Sequence, residues 1–185
     1  IREIKMKTLV IYKSKYGSTK KYAEWIGEEL ECDVLETGSV SADTLKKYDT
    51  IIYGGGLFAG GVNGFNLIAK NFDAVRDKNI ILFTVGLADP NDSENTDHIK
   101  GGIKKAVSPE LFDKMKIFHL RGGIDYSNLG IVHKAMMAML VKTMKSKDES
   151  ELRDEDKMML ETYGQKVDFT DRNSIKPLVE YVRAI

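Results

Sequence analysis

The chain has 185 residues, 28 Lys plus Arg against 28 Asp plus Glu, and a hydrophobic content of 42%. That length suffices for one domain with a full core, and the charge balance argues against a generally basic nucleic-acid binder. The lone Cys32 excludes an internal disulfide and a multi-cysteine metal cluster, and His98, His119 and His133 are too scattered to suggest a metal site.

In chain order, strand and helix signals alternate. Residues 1–5 read as an extension ahead of Met6, and β-formers give a first strand at about 7–12. A helix is expected over 18–31, with Tyr22, Ala23, Ile26 and Leu30 on one face. A short strand over 33–38 ends at Gly38, and 40–47 is a short helix or turn. A third strand at 49–53 runs into a glycine-rich loop at 54–61, and 63–72 is helical. Residues 79–86 are the most apolar strand, as expected for a central position buried on both faces. A polar loop follows at 87–97, then a helix at about 97–106, a fifth strand at 116–122, and a last helix at about 175–184 capped by Ser174 with Pro177 in its first turn.

Five strands separated by helices predict a doubly wound parallel sheet of α/β class, and the short second unit suits the order 2-1-3-4-5. Ligands of such sheets lie at the carboxyl ends of the strands, at the switch point between the first and third. That rule brings together the loops 13–19, 54–61 and 86–97.

The first of these is the best phosphate cradle in the chain. A strand, a tight loop with Gly17, and a helix N-terminus aim backbone N–H groups and a helix dipole at one point, and Ser14, Ser18 and Thr19 add hydroxyls. It is not a nucleotide-triphosphate loop: no Lys follows Gly17 and no earlier Gly stands at the required distance. In the second loop, Gly54, Gly56 and Ala59 match a dinucleotide fingerprint. The acidic residue that reading needs near the end of the next strand is missing, because that strand ends at Val85 and Gly86. Glycine also lets backbone approach a flat ring closely, with Leu57 and Phe58 flanking it; the alternative for Phe58 is a partly buried loop anchor. In the third loop no aromatic residue stands between Gly86 and Asn95, and its Asp-Pro-Asn-Asp run at 89–92 also explains it as a solvated turn.

After the fifth strand, Ile131, Val132, Ala135, Met136, Met139, Leu140 and Met144 crowd a helix expected over 129–145, leaving Lys134, Ala138, Lys142 and Lys145 on a narrow face. Such a helix either docks on a membrane or partner or packs on the sheet edge or a dimer seam. The stretch 145–157 is highly charged. No pair of carboxylates and no Ser-His-Asp arrangement is readable, so no catalytic residue is assigned. Neither a signal peptide nor a transmembrane run is readable, so a cytoplasmic protein is expected.

Ser14-Lys15-Tyr16-Gly17-Ser18-Thr19 resembles the flavodoxin phosphate loop, with Tyr16 in place of its second hydroxyl residue. With the loop from Tyr53 to Phe58 and the run Arg121-Gly-Gly-Ile-Asp-Tyr126 before a Met-rich basic helix, the chain over 6–185 is similar to the flavodoxin-like family that includes the menaquinone-dependent protoporphyrinogen dehydrogenases. The resemblance implies a flavodoxin-like fold with a helical insertion at about 123–165, and FMN as cofactor. It implies phosphate held by Ser14, Lys15, Tyr16, Gly17, Ser18 and Thr19. One side of the ring would lie along Gly55, Gly56, Leu57, Phe58, Ala59 and Gly60, and the pyrimidine edge along Thr84, Val85, Gly86 and Leu87. A peptide flip at Gly60 or Gly61 would tune the redox chemistry. The implied roles are electron transfer, with a partner protein or a small-molecule or quinone substrate, or quinone-linked oxidation; a cofactor-less structural domain is the non-redox alternative. Flavodoxins tend to be strongly acidic, a feature this chain lacks.

Overall fold

The computed structural model describes residues 6–58 and 60–185. The extension at 1–5 and Ala59 lie outside them. The strands are β1 (Thr8–Lys13), β2 (Asp33–Glu36), β3 (Thr50–Phe58), β4 (Gly61–Val62), β5 (Asn79–Gly86), β6 (Met115–Arg121), β7 (Gly123–Asp125) and β8 (Lys166–Asp168). The helices are α1 (Ser18–Leu30), α2 (Ala42–Lys46), α3 (Asn66–Lys70), α4 (Phe72–Val75), α5 (Ser93–Ala106), α6 (Pro109–Lys114), α7 (Ile131–Lys145), α8 (Asp154–Thr162) and α9 (Lys176–Ala184).

The main sheet runs β2-β1-β3-β5-β6, all parallel, with β4 folded back antiparallel on the end of β3. Counting only the long strands, this is the expected order 2-1-3-4-5. Alternation along the strands feeds two apolar layers. Leu9, Ile11, Ile51, Tyr53, Ile80 and Leu82 pack with Ile68, Val75, Ile103 and Leu111 from α3 to α6. Val10, Ile52, Ile81, Phe83 and Leu120 pack on the other face with Tyr22 and Ile26 of α1 and Leu178, Val179 and Val182 of α9. Burying each of these large side chains contributes about 1.5–3 kcal/mol. β5 is buried on both faces, as its apolar run predicts.

Several boundaries differ from the sequence reading. β3 continues through Gly54, Gly55 and Gly56, which pair with Phe83, Thr84 and Val85 of β5, to Leu57 and Phe58, which pair with Val62 and Gly61 of β4. The glycines therefore sit inside a strand, and a side chain on Gly54 would overlap the Phe83 ring. The single helix expected over 63–72 is two, α3 and α4, split at Asn71, whose side-chain amide donates 2.8 Å to the Leu67 carbonyl and competes with the ladder. α5 begins at Ser93 because Asp92 accepts from the Glu94 N–H at 3.0 Å. α9 begins at Lys176 after a 3-10 turn over Arg172–Ile175; its expected cap Ser174 instead donates to the Asp171 carbonyl at 2.6 Å.

The segment after β6 is not purely helical. It leaves the sheet through β7, runs through α7 and α8, and returns as β8, with Gly123, Ile124 and Asp125 opposite Asp168, Val167 and Lys166.

Candidate functional site

The carboxyl ends of β1, β3, β5 and β6 meet at the switch point, where β1 pairs with β2 on one side and β3 on the other. A cleft of about 720 Å³ opens there, within the roughly 300–1,000 Å³ of small-molecule sites.

One end of the cleft is built by the β1–α1 loop. Gly17 caps α1 with φ 101°, a left-handed conformation that favours glycine, and its N–H donates to Ser14 Oγ at 3.1 Å, which tightens the loop. α1 has no side-chain cap and no acid in its first turn. Its leading N–H groups and dipole therefore remain available to an anion. Ser18 Oγ accepts from the Gly123 N–H at 3.3 Å, leaving its own proton to donate into the cleft. Thr19 is buried beneath Gly56. Lys13 and Lys15 add positive charge at the rim.

Gly56, Leu57 and Phe58 form one wall and Val85, Gly86, Leu87 and Ala88 another. Side-chain-free backbone at Gly86 lets Leu57 close in: a Cβ there would meet Leu57 Cδ1 at 2.8 Å. Arg121 braces this wall, donating from Nε to the Leu87 carbonyl at 2.8 Å while its guanidinium lies 3.8 Å from the Phe169 ring centroid.

Of the sequence-derived residues, Ser14, Lys15, Tyr16, Ser18, Thr19, Gly56, Leu57, Phe58, Val85, Gly86 and Leu87 line the cleft together. Gly17 shapes the loop from behind. Gly55 packs its backbone against Val62 and Asn63. Gly60 lies in the β3–β4 turn at φ 80°, its carbonyl against Gly102 of α5, and neither it nor Gly61 lines the cleft. Thr84 is buried beneath the cleft, and its hydroxyl is 2.8 Å from His119 Nδ1. His119 Nε2 is buried without a hydrogen-bond partner among the described residues, and burial, with Lys100 nearby, pushes the ring down to about 4.

Sequence reasoning missed the far wall. His133 and Leu140 of α7, Arg153 at the start of α8, Glu155 and Met159 within it, and Asn95, His98 and Ile99 of α5 also line the cleft. The helix expected over 129–145 therefore contributes to the cleft wall through His133 and Leu140, beyond the membrane, partner or sheet-edge roles its pattern suggests. Its inward stripe is His133, Met137, Val141 and Met144, spaced for one face, whereas Ile131, Val132, Met136 and Met139 stand exposed beside the lysines.

Tyr16, the departure from the loop pattern, points away from a simple phosphate role. Its hydroxyl accepts from the Gly130 N–H at 3.2 Å and is hydrogen-bonded to His133 Nδ1. His133 also sets its ring edge-on to Phe58 at 4.7 Å between centroids. Burial and Lys15 lower the His133 pKa, favouring the neutral ring.

Among the described residues no group of three or more His, Cys, Asp or Glu could hold a metal ion, and no helix is long and apolar enough to cross a membrane.

Residues 9–151 match the family model described as a flavodoxin domain. An uncharacterized protein of Methanocaldococcus jannaschii is 39% identical over 56 residues, a match spanning 30% of this chain and 37% of that protein. Among solved structures, a flavodoxin from the domain Archaea aligns over 63% of this chain and 83% of its own at 21% identity and TM-score 0.43. A flavoprotein in complex with FMN from Lactobacillus acidophilus aligns over 63% and 92% at 19% identity and TM-score 0.39.

Proposed function

The chain belongs to the flavodoxin domain family, and on that premise we propose that it binds FMN and carries electrons. The observation that carries the reading is the uncapped N-terminus of α1, with Ser14, Ser18 and Thr19 around it, at one end of a cleft whose other walls are backbone-rich and apolar. A phosphate takes the first part and a flat ring the second. The bound flavin would supply the redox chemistry; the protein supplies orientation and electrostatics. Ser18 and Thr19 donate to the phosphate, and Lys13 and Lys15 offset its charge. Leu57 and Phe58 exclude water from one face of the ring. The Leu87 carbonyl, braced by Arg121, positions backbone groups at its polar edge.

A second reading, quinone-linked oxidation of the protoporphyrinogen dehydrogenase type, is favoured by one observation: α7 and α8 form a far wall over the cleft. We also propose that the outer face of α7, with Ile131, Val132, Met136 and Met139 beside Lys134, Lys142 and Lys145, touches an anionic membrane surface. The cofactor-less alternative would find support in Tyr16, which departs from the phosphate-loop pattern, but the bonds of Tyr16 to Gly130 and His133 give that residue another role.

The deciding experiment is an absorption spectrum of the protein as isolated and after incubation with FMN. Flavin bands that co-migrate with the protein, with FMN identified after heat release, support the reading. A protein that takes up no FMN at micromolar concentration refutes it.

A further inference from the structure

The wall that sequence reasoning missed is attached differently from the rest of the protein. α7 buries only Val141 and Met144, and α8 buries none of its residues. Elements with so little apolar burial sit at the low-stability end of a fold and open first. The two ends of the segment are nevertheless fixed close together, because β7 and β8 pair with each other, the Phe169 N–H donates to the Gly122 carbonyl at 3.1 Å, and Lys21 meets Asp168 at 3.3 Å. A weakly packed pair of helices on a pinned ribbon is a hinged element.

Polar contacts at two corners hold that element over the cleft, and α8 is tied further by Glu155, which accepts from the Asn95 amide, by Arg153 with Glu94 at 3.4 Å, and by Arg121, which donates to Met158 Sδ at 3.3 Å. Arg153 donates to Asp92 at 2.7 Å and to Asn95 at 2.8 Å, fastening the start of α8 to α5. At the other corner Tyr16 bonds to Gly130 and His133, and His133 leans on Phe58. Tyr16 belongs to the phosphate loop and Phe58 to the ring wall, so this second contact ties the helices to both ends of the cofactor cleft.

We propose that the segment between Asp125 and Lys166 is a lid latched by Tyr16 and His133, so that the redox partner of the bound cofactor is a small molecule entering beneath the lid and not a protein docking on the flavin. The proposal rests on the FMN reading for its second half only. With Leu140 and Met159 over the cleft, the surface that a partner protein would need is occupied by the chain itself. A flat apolar molecule slips between the two walls once the latch opens.

The test has two arms. In the first, amide hydrogen exchange is measured on the full cofactor-free chain as wild type, Tyr16→Phe and His133→Phe; the second variant keeps an aromatic ring against Phe58 but removes the nitrogen. Exchange at least tenfold faster across 131–145 in both variants, with β5 unchanged, supports the latch. Exchange there at the wild-type rate in both variants overturns it. This arm stands whether or not the protein binds FMN. In the second arm, the FMN-loaded protein is reduced anaerobically and mixed with p-benzoquinone, which takes two electrons and two protons to become hydroquinone, or with ferric cytochrome c, which takes one electron per haem. Oxidation by benzoquinone at least 100-fold faster than by cytochrome c, with the cytochrome rate rising at least tenfold in Tyr16→Phe, supports the small-molecule assignment. Equal rates with the two oxidants in the wild type overturn it.

Discussion

Ser18 is tied to two structures at once, which makes the pair Ser18→Ala and Thr19→Ala a sharp test of the phosphate site. Both residues line the cleft at the N-terminus of α1. A hydrogen bond to a charged acceptor is worth about 1.5–3 kcal/mol, so losing two hydroxyl donors removes about 3 kcal/mol or more, roughly a hundredfold in affinity. The backbone N–H groups of the loop survive the substitution and recover part of that loss, which leaves a tenfold weakening as the smallest outcome the geometry allows. Ser18→Ala also strips the Gly123 N–H of its 3.3 Å acceptor. That costs about 1 kcal/mol, or about 2–4 °C in Tm for a chain of this size. FMN and riboflavin are titrated in parallel by flavin fluorescence quenching. FMN affinity falls at least tenfold and riboflavin affinity stays put, because only FMN carries the phosphate. An unchanged FMN affinity, or an equal fall for both ligands, refutes the placement of the phosphate on this loop.

Three further outcomes follow from other parts of the molecule. Gly101 and Gly102 are adjacent in α5, yet a Cβ on Gly101 meets nothing within 4 Å while one on Gly102 falls 2.5 Å from the Gly60 carbonyl; Gly101→Ala therefore raises stability by about 0.5–1 kcal/mol, and Gly102→Ala lowers it, as read by thermal melts. His119 titrates at about 4 in the fold against 6.5 unfolded, so the unfolded chain binds the extra proton between these values and stability falls as pH drops from about 6.5 to 4. The full shift is worth about 3 kcal/mol, and solvent screening of this partly exposed ring reduces that to about half; urea melts against pH show this acid limb, and His119→Leu flattens it. Co-sedimentation with phosphatidylserine vesicles should fall steeply between low and high salt and vanish when Lys134, Lys142 and Lys145 are changed to Glu; a wild-type chain that never sediments removes the membrane role of α7.

The sheet was legible because its information is local: each long strand is a run of β-formers, and the two faces alternate residue by residue. The β1–α1 end of the cleft was legible for the same reason, since strand, loop and helix N-terminus are contiguous. What escaped is what the chain assembles across distance. β7 and β8 are three residues each and are strands only because they find each other on either side of the α7–α8 excursion. α8 begins with Asp154, Glu155 and Asp156, a charged run with no apolar stripe, but three acids in a first turn are also what a helix dipole favours. α6 carried a readable signal in Ser108 before Pro109, and Ser108 Oγ indeed accepts from Leu111 N–H at 3.3 Å. In α7 the apolar count misled. Apolar residues stand on both its inner and its outer face, and the face that turns inward is picked out by His133, a polar residue whose partners lie 75 or more positions earlier in the chain.

Tyr16 shows why the odd residue in a motif is worth reading physically. A β1–α1 loop already holding Ser14, Ser18 and Thr19 gains little from one more hydroxyl, and a tyrosine ring is too long to place its oxygen where a serine would. The same length lets it cross to Gly130, 114 positions away in sequence. Without α7, the ring would stand on the surface with neither of its hydrogen-bond partners, and without the ring, the first turn of α7 would lose these bonds to the β1–α1 loop. Tyr16 in the loop and the segment after β6 therefore depend on each other for these hydrogen bonds. Swapping Tyr16 for Ser should therefore speed amide hydrogen exchange in the first turn of α7 while leaving the Gly17 N–H bond to Ser14 Oγ in place.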